Sequence, residues 1–322
     1  MQIFNEILRD NFGRPVTNLR ISITQRCNLR CFYCHKEGID HQSKELEADE
    51  IFKAAKVALR LGINRFKLTG GEPLLRRDVC EILSKIASLG EKVEDISMTT
   101  NGVLFAEMAS ELHKSGLRRV NISLPSNDFG VYRHITQVPN SREGRRIFEK
   151  VIEGIKLAPG IGFYPVKINM VVLKGINDTC IPEMIELAKE SKAVLQLIEL
   201  QKLGIDESVY RKYHHELYDV ESWLKNKSSK IDVRRLMHNR KKYLLEEGVE
   251  VEVVRPMDNS EFCAGCTRLR LTCDGKLKPC LMRNDNLVKI PDEFLNEESL
   301  DGIESLFIEA IKRREPFFKN QG

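Results

Sequence analysis

Seven of the nine cysteines fall into two groups. Cys27, Cys31 and Cys34 are spaced C-x3-C-x2-C in "RCNLRCFYC", and Cys263, Cys266, Cys273 and Cys280 lie in "FCAGCTRLRLTCDGKLKPC". In a reducing compartment such grouping points to metal or redox chemistry over disulfides. Three thiolates at the end of a short apolar run can be bent around one metal centre. A structural zinc site wants a fourth ligand, for which His35 is the neighbour, and its usual signature is two separated C-x2-C pairs. A 4Fe-4S cube on three thiolates leaves one iron open to a ligand. The first group alone leaves both readings standing. The second could close a four-thiolate zinc site or present another three-thiolate cluster.

Within the second group, Asp274 and Gly275 predict a two-residue hairpin between "RLRLTC" and "KLKPCL". That register returns Cys280 to the neighbourhood of Cys266 and leaves Cys273 at the turn, about 13 Å away at strand rise. Cys263, Cys266 and Cys280 are therefore the expected ligand set. Arg268 and Arg270, two apart on one strand, face one way and suit a polyphosphate. Lys167 and Asn169 likewise share a face, Lys67 precedes "TGGEP", and Arg20 opens the first strand. Together they predict a basic cavity in a chain that is nearly balanced overall, with 51 basic and 47 acidic residues and a net charge of +4. That balance argues against a dedicated nucleic-acid binder. Cys80 and Cys180, isolated in helical patterns, read as packing residues.

The elements that must position these groups come from hydrophobic periodicity. Short β-type runs at 19–24, 65–69, 96–99, 120–124, 166–173 and 194–200 alternate with amphipathic helical stretches such as "ADEIFKAAKVALRLG". Six βα units predict a parallel sheet with helices outside it, open or curled toward a barrel, and ligands at the carboxyl ends of the strands. At that rim, Gly70 and Gly71 of "LTGGEP" would let the backbone approach a ligand, and Glu72 could accept from an ammonium group. Thr99 in "TTNG" and Ser123 in "NISLPS" offer hydroxyls there.

Beyond residue 200 a polar stretch to about 239 reads as a helix and connector, its basic runs at 234–235 and 240–242 as a solvated face. A compact C-terminal piece follows from "VEVEVVRP". The length of 322 residues fits one large core with a smaller module, divided at 1–235 and 236–322. No apolar run suits a signal peptide or a membrane span, so a cytoplasmic protein is expected.

C-x3-C-x-Y-C followed by GGEP in a βα repeat resembles the radical S-adenosylmethionine superfamily. The resemblance implies that Cys27, Cys31 and Cys34 ligate a 4Fe-4S cluster whose open iron chelates S-adenosylmethionine, with Tyr33, Gly71 and Ser123 at that cosubstrate. One-electron reduction then yields methionine and a 5′-deoxyadenosyl radical. C-x2-C-x13-C with C-x-R-x-R inside it, together with "GRPVTNLRISIT", "GLRRVNISL" and "VKINMVVLKGIND", is similar to the GTP 3′,8-cyclase family of molybdenum cofactor biosynthesis, along nearly the whole chain.

That second resemblance implies an α/β fold, an incomplete (β/α)6 TIM-like barrel with a small C-terminal iron-sulfur module. It also implies a second 4Fe-4S cluster on Cys263, Cys266 and Cys280 that binds guanine. Arg20, Lys67, Thr99, Lys167, Arg268 and Arg270 would contact GTP, and Gln201 the cosubstrate. Hydrogen abstraction from ribose C3′ and attack on guanine C8 would give 3′,8-cyclo-7,8-dihydro-GTP. The implied partners are a flavodoxin- or ferredoxin-type electron donor and a downstream cyclic pyranopterin monophosphate synthase, and a homodimer is admitted. The chain departs from the family pattern at Lys67 and Gln196, where arginine is common, at Pro125 and Gln201, and in its single terminal Gly322. The competing readings are a radical peptide- or protein-modifying maturase and a non-catalytic zinc or electron-transfer protein.

Overall fold

A computed structural model of the chain describes residues 7–39, 44–296 and 298–319. Strands β1 Asn18–Ser22, β2 Arg65–Thr69, β3 Asp95–Thr100, β4 Arg119–Ser123, β5 Val166–Val172 and β6 Val194–Glu199 stand where the alternation predicts them. Helices α1 Ala48–Arg60, α2 Val79–Ala87, α3 Phe105–Lys114, α4 Phe129–Thr136, α5 Arg142–Ile161 and α6 Ile181–Glu190 connect them. The six strands pair in parallel and in chain order.

Each strand alternates sharply. Leu19 and Ile21, Phe66 and Leu68, Ile96 and Met98, Val120 and Ile122, and Leu195 and Leu197 belong to one hydrophobic core with the helices. Each such side chain contributes about 1.5–3 kcal/mol on burial. The stripe Ile51, Ala54, Ala55 and Ala58 of α1 is buried, and a reciprocal capping box between Glu47 and Glu50 starts that helix. The intervening strand residues point to the other face and are mostly polar or charged, Val171 and Ile198 apart. A sheet face so built cannot fill itself with apolar side chains, and it encloses a cavity.

The chain after residue 227 extends both edges of this sheet. Strands β7 Ser228–Arg234, β8 Arg240–Leu245 and β9 Glu250–Val254 are added beside β6, and β10 Arg268–Leu271, β11 Lys276–Lys278 and β12 Val288–Lys289 beside β1. β9 runs parallel to β6 and β10 parallel to β1. One face of β10, β1 to β6 and β9 lines a single cavity, which requires the twelve-stranded sheet to curl into a partial barrel. No helix among the described residues is long and apolar enough to cross a membrane.

The expectation of a helix and connector up to residue 239 is half right. The helix is Tyr218–Lys227, but the connector is the strand β7, paired antiparallel with β8. β7 is an edge strand whose Ile231 and Val233 alternate with Lys230, Asp232 and Arg234 but stay exposed, so the alternation is short and covers no core.

Candidate active site

The first cysteine loop leaves β1 and is held by backbone. Gly71 N–H donates to Thr24 O at 2.7 Å and Glu72 N–H to Arg26 O at 2.7 Å. A Cβ on Gly70 would lie 2.4 Å from Thr24 O, and one on Gly71 2.3 Å from Arg26 O. The glycine pair is therefore demanded by close approach to the chain's own 24–26 backbone. Glu72 is likewise turned inward. Its oxygens accept from Leu74 N–H at 3.0 Å, Thr100 Oγ1 at 2.7 Å and Asn101 N–H at 2.6 Å, and it is fully buried, which lifts its carboxyl to about 7. It ties the turn after β2 to the turn after β3 and does not open to an ammonium group.

Cys27 and Cys34 are exposed, Cys31 is half-buried, and none is in a disulfide. Burial lifts the Cys31 thiol to about 12, helped by Cys34 and Cys27, and burial raises the other two as well. Three thiols that oppose one another's ionisation suit a cationic metal centre, which offsets that repulsion on binding. Among the described residues no three Cys, His, Asp or Glu side chains converge as a single metal ion requires, and His35 Nδ1 already accepts from Glu37 N–H at 3.1 Å. The donor set fits a multi-iron cluster better than a zinc ion.

The cavity has a volume of about 320 Å³, within the usual range for small-molecule sites. The pairings Arg270–Arg20–Lys67–Ser97–Arg119 run across five strands, with Lys167 beside Asn121, so cations form a belt around the interior. Two carboxylates answer part of this charge. Glu37 lies 3.6 Å from Arg20 and 3.3 Å from Arg270; burial opposes its ionisation, but the two guanidiniums prevail and hold it at about 2. Glu252 on β9 is 2.7 Å from Lys167 and 3.4 Å from Arg240, is paired with Arg234, and accepts from Gln196 at 2.6 Å.

Lys67 and Arg268 have no carboxylate partner among the described residues, and burial, then neighbouring cations, push both well below their usual values. Arg20 Nε, Gln201 Oε1 and both ring nitrogens of His238 are buried without hydrogen-bond partners. Buried polar atoms left in this state are ready for a ligand.

The second cysteine loop is gripped from both ends of the chain. Cys263 lies in the short helix Ser260–Ala264, and Arg14 donates to its carbonyl at 3.0 Å. Arg314, fully buried, donates to Cys266 O at 2.7 Å and pairs with Asp10 at 3.2 Å, which also pairs with Arg14 at 2.8 Å. Burial opposes ionisation of Cys266, but Arg314, Arg268 and Arg14 outweigh it and hold the thiol below its ordinary value. Cys280 stays raised, chiefly by burial.

The hairpin between β10 and β11 differs from the sequence expectation. Thr272 N–H donates to Lys276 O at 2.9 Å and Gly275 N–H to Thr272 O at 3.1 Å, which makes a three-residue loop with Gly275 at φ 82°. Cys273 is buried in that loop, where its carbonyl accepts from Leu46 N–H at 2.7 Å, and it is absent from the cavity wall.

Tyr33, Cys34, Thr99, Ser123, Lys167, Gln201 and the three second-group cysteines 263, 266 and 280 line the one cavity with Arg20, Lys67, Arg268 and Arg270. Cys27, Cys31 and Gly71 lie outside that lining. Cys80 and Cys180 pack against the main core. Gly322 lies outside the described residues. The basic runs at 234–235 and 240–242 are not simply solvated: Arg240 is buried in the cavity wall and Arg234 reaches Glu252, while Arg235 and Lys241 are exposed. Sequence reasoning also missed Arg119, Glu37, Glu252, His238 and Arg314. An acidic residue inside "VEVEVV" was the readable signal for Glu252, since its strand neighbours are apolar.

Comparison with known proteins agrees with this architecture. The family model described as "Radical SAM superfamily" matches residues 21–188, and that described as "Molybdenum Cofactor Synthesis C" matches residues 193–320. A protein of Thermococcus kodakarensis described as "Probable GTP 3',8-cyclase" is 46% identical over 319 residues, covering 97% of this chain and 100% of its own. Proteins of the same description from Methanothermobacter marburgensis and Methanocaldococcus jannaschii are 45% identical over 314 residues and 44% over 313, each covering 97% of this chain and 99% of the relative. Among solved structures, Streptococcus suis SuiB bound to S-adenosylmethionine superposes with a TM-score of 0.63 at 18% identity, over 89% of this chain and 65% of that one. Histidine-tagged anSMEcpe with bound AdoMet gives 0.53 at 17%, over 96% and 92%; both likenesses concern the fold. The chain therefore belongs to the radical SAM superfamily and, within it, to the GTP 3′,8-cyclase family.

Proposed function

We propose that this chain converts GTP to 3′,8-cyclo-7,8-dihydro-GTP, the first step of molybdenum cofactor assembly. In this reading Cys27, Cys31 and Cys34 hold a 4Fe-4S cluster whose fourth iron takes S-adenosylmethionine. Cys263, Cys266 and Cys280 hold a second cluster. Bound together, the first cluster and its cosubstrate supply one-electron chemistry able to take a hydrogen atom from an unactivated carbon.

The chain's own residues bind and orient. Tyr33, Gly71, Ser123 and Gln201 flank the cosubstrate, with the unpartnered Gln201 Oε1 free to accept from it. Arg20, Lys67, Thr99, Lys167, Arg268 and Arg270 take the nucleotide, and the triphosphate supplies the negative charge that Lys67 and Arg268 lack. Fixing C3′ and C8 of one substrate in contact is a positioning task, met by side chains on rigid strands. Glu252 holds Lys167 in place at 2.7 Å. The N-terminal part, 1–235, then carries the radical source, and 236–322 the second cluster and part of the nucleotide site. A flavodoxin- or ferredoxin-type protein would deliver the electron, and a cyclic pyranopterin monophosphate synthase would take the product.

The observation that carries the reading is the belt of cations, two of them unpaired, between the two cysteine groups. Anaerobic reconstitution with dithionite, S-adenosylmethionine and GTP tests it. Formation of 5′-deoxyadenosine together with a cyclised GTP derivative is expected. 5′-Deoxyadenosine without such a product defeats the reaction assigned.

A further inference from the structure

The turn joining β7 to β8 carries "RLMHN", a stretch that the basic cavity does not by itself explain. It is bent by two consecutive non-glycine residues in left-handed backbone, His238 at φ 63° and Asn239 at φ 51°. The strain is held by the second cysteine loop. His238 N–H donates to Gly265 O at 2.9 Å, Asn239 Nδ2 to Glu261 O at 2.7 Å, and Thr267 Oγ1 to Leu236 O at 3.2 Å. Gly265 is required for this contact, because a Cβ there would meet Asn239 N at 2.8 Å and His238 Cα at 2.9 Å.

The latch carries the His238 ring into the cavity wall. It stacks on Phe262 with centroids 4.2 Å apart and planes 11° apart. The residue is 6% exposed, lines the cavity, and neither ring nitrogen has a hydrogen-bond partner. A strained turn that buries two unsatisfied polar atoms is costly unless a ligand completes it.

The chemistry of that ligand follows from the neighbours. Burial first, and then the charges of Arg268, Arg240, Arg270 and Arg20, hold the ring neutral, and those guanidiniums, which line the same cavity, are the groups that suit phosphate. The donor and the acceptor of a neutral imidazole diverge, so one ligand group meets one ring nitrogen, and a single uncharged hydrogen bond of that kind suits a ring nitrogen, carbonyl or amino group of a heterocyclic base better than a phosphate.

We propose that His238, braced by Phe262 and latched through Gly265, is a specificity-determining residue that hydrogen-bonds the purine base of the nucleotide. This rests on the GTP reading above. The latch also makes the appended β7–β8 hairpin part of the substrate site.

The test compares binding of GTP and of inorganic tripolyphosphate to anaerobic, cluster-loaded protein by equilibrium dialysis, for the wild type, His238→Phe and His238→Asn. Phenylalanine keeps the stack and removes both nitrogens; asparagine suits left-handed backbone and keeps a donor and an acceptor. His238→Phe is expected to weaken GTP about tenfold, to leave tripolyphosphate and iron content unchanged, and His238→Asn to recover part of the loss. Unchanged GTP affinity in His238→Phe overturns the proposal. Parallel loss of GTP and tripolyphosphate in both variants overturns it too, because it assigns His238 to phosphate or to folding. A wild type that binds tripolyphosphate but not GTP overturns the GTP reading itself.

Discussion

Cys27, Cys31 and Cys34 sit in a loop pinned by backbone to the turn after β2, where the strongest charged neighbours are carboxylates. Cys263, Cys266 and Cys280 sit where Arg14, Arg268, Arg270 and Arg314 converge, and Cys266 is drawn toward the thiolate. Two sets of three thiols thus stand in opposite fields. On the proposed assignment, the guanidiniums beside the second set would serve both its sulfur and the phosphates of a bound nucleotide, a task that the first set would not share. The cost falls on stability: Glu37 and Glu252 neutralise part of the belt and Asp10 answers Arg14 and Arg314, while Lys67 and Arg268 stay without a carboxylate among the described residues.

Loss of one cysteine from each group makes the largest difference. Cys31→Ser and Cys266→Ser should each lose about half of the iron of reconstituted protein. The first should abolish 5′-deoxyadenosine formation while GTP still binds; the second should lose GTP affinity while cosubstrate cleavage persists. Retained GTP affinity in Cys266→Ser would erase the division of labour. Cys273→Ser should keep all of the iron.

Next in size is Arg314→Met, which strips the second loop of its C-terminal latch. Chemical denaturation of the apo-protein should show a loss of about 3 kcal/mol, the low end for a broken buried pair, because Asp10 retains Arg14. Iron of the second group should also become the faster to leave to a chelator.

Glu72→Gln tests the first region through pH. Glu72 is raised from 4.5 to about 7 in the folded chain. Between those values the native state keeps a proton that the unfolded state has lost, so this group makes stability fall as pH rises, by at most about 3 kcal/mol. The substitution should remove that decline between about pH 4.5 and 7, seen in denaturation midpoints. A wild-type midpoint that rises across the window by the same amount as the variant's would place Glu72 outside this role.

The smallest effect is expected from Lys67→Met. Replacing a buried, unpaired cation by an apolar chain should stabilise the apo-protein by about 1–2 kcal/mol while weakening GTP. A destabilised variant would mean that Lys67 has a partner in solution.

The legible parts of the molecule were those governed by local periodicity. β2 was read to the residue, and β1 and β3 to β6 to within one or two, because buried apolar residues alternate with inward polar ones. The cation belt was legible in part for the same reason: Arg20, Lys67, Lys167, Arg268 and Arg270 all fall on the alternate positions. β7 was not, since its alternation spans only "KIDVR" inside a polar, charged stretch and its apolar residues stay exposed at the sheet edge. The contact of the GGEP turn with the chain's own 24–26 backbone was not legible, because nothing local says whether a glycine makes room for a ligand, for backbone or for both.

The sequence by itself determined the chemistry available: two sets of thiols, a βα frame with its ligand rim, and basic residues on the strands. Only the tertiary structure decided which charges are answered. Glu252 meets Lys167 across 85 residues and Arg314 reaches Cys266 across 48. The curl of the sheet brings both edges to one cavity, and that curl follows from packing of the whole core, which no local pattern records.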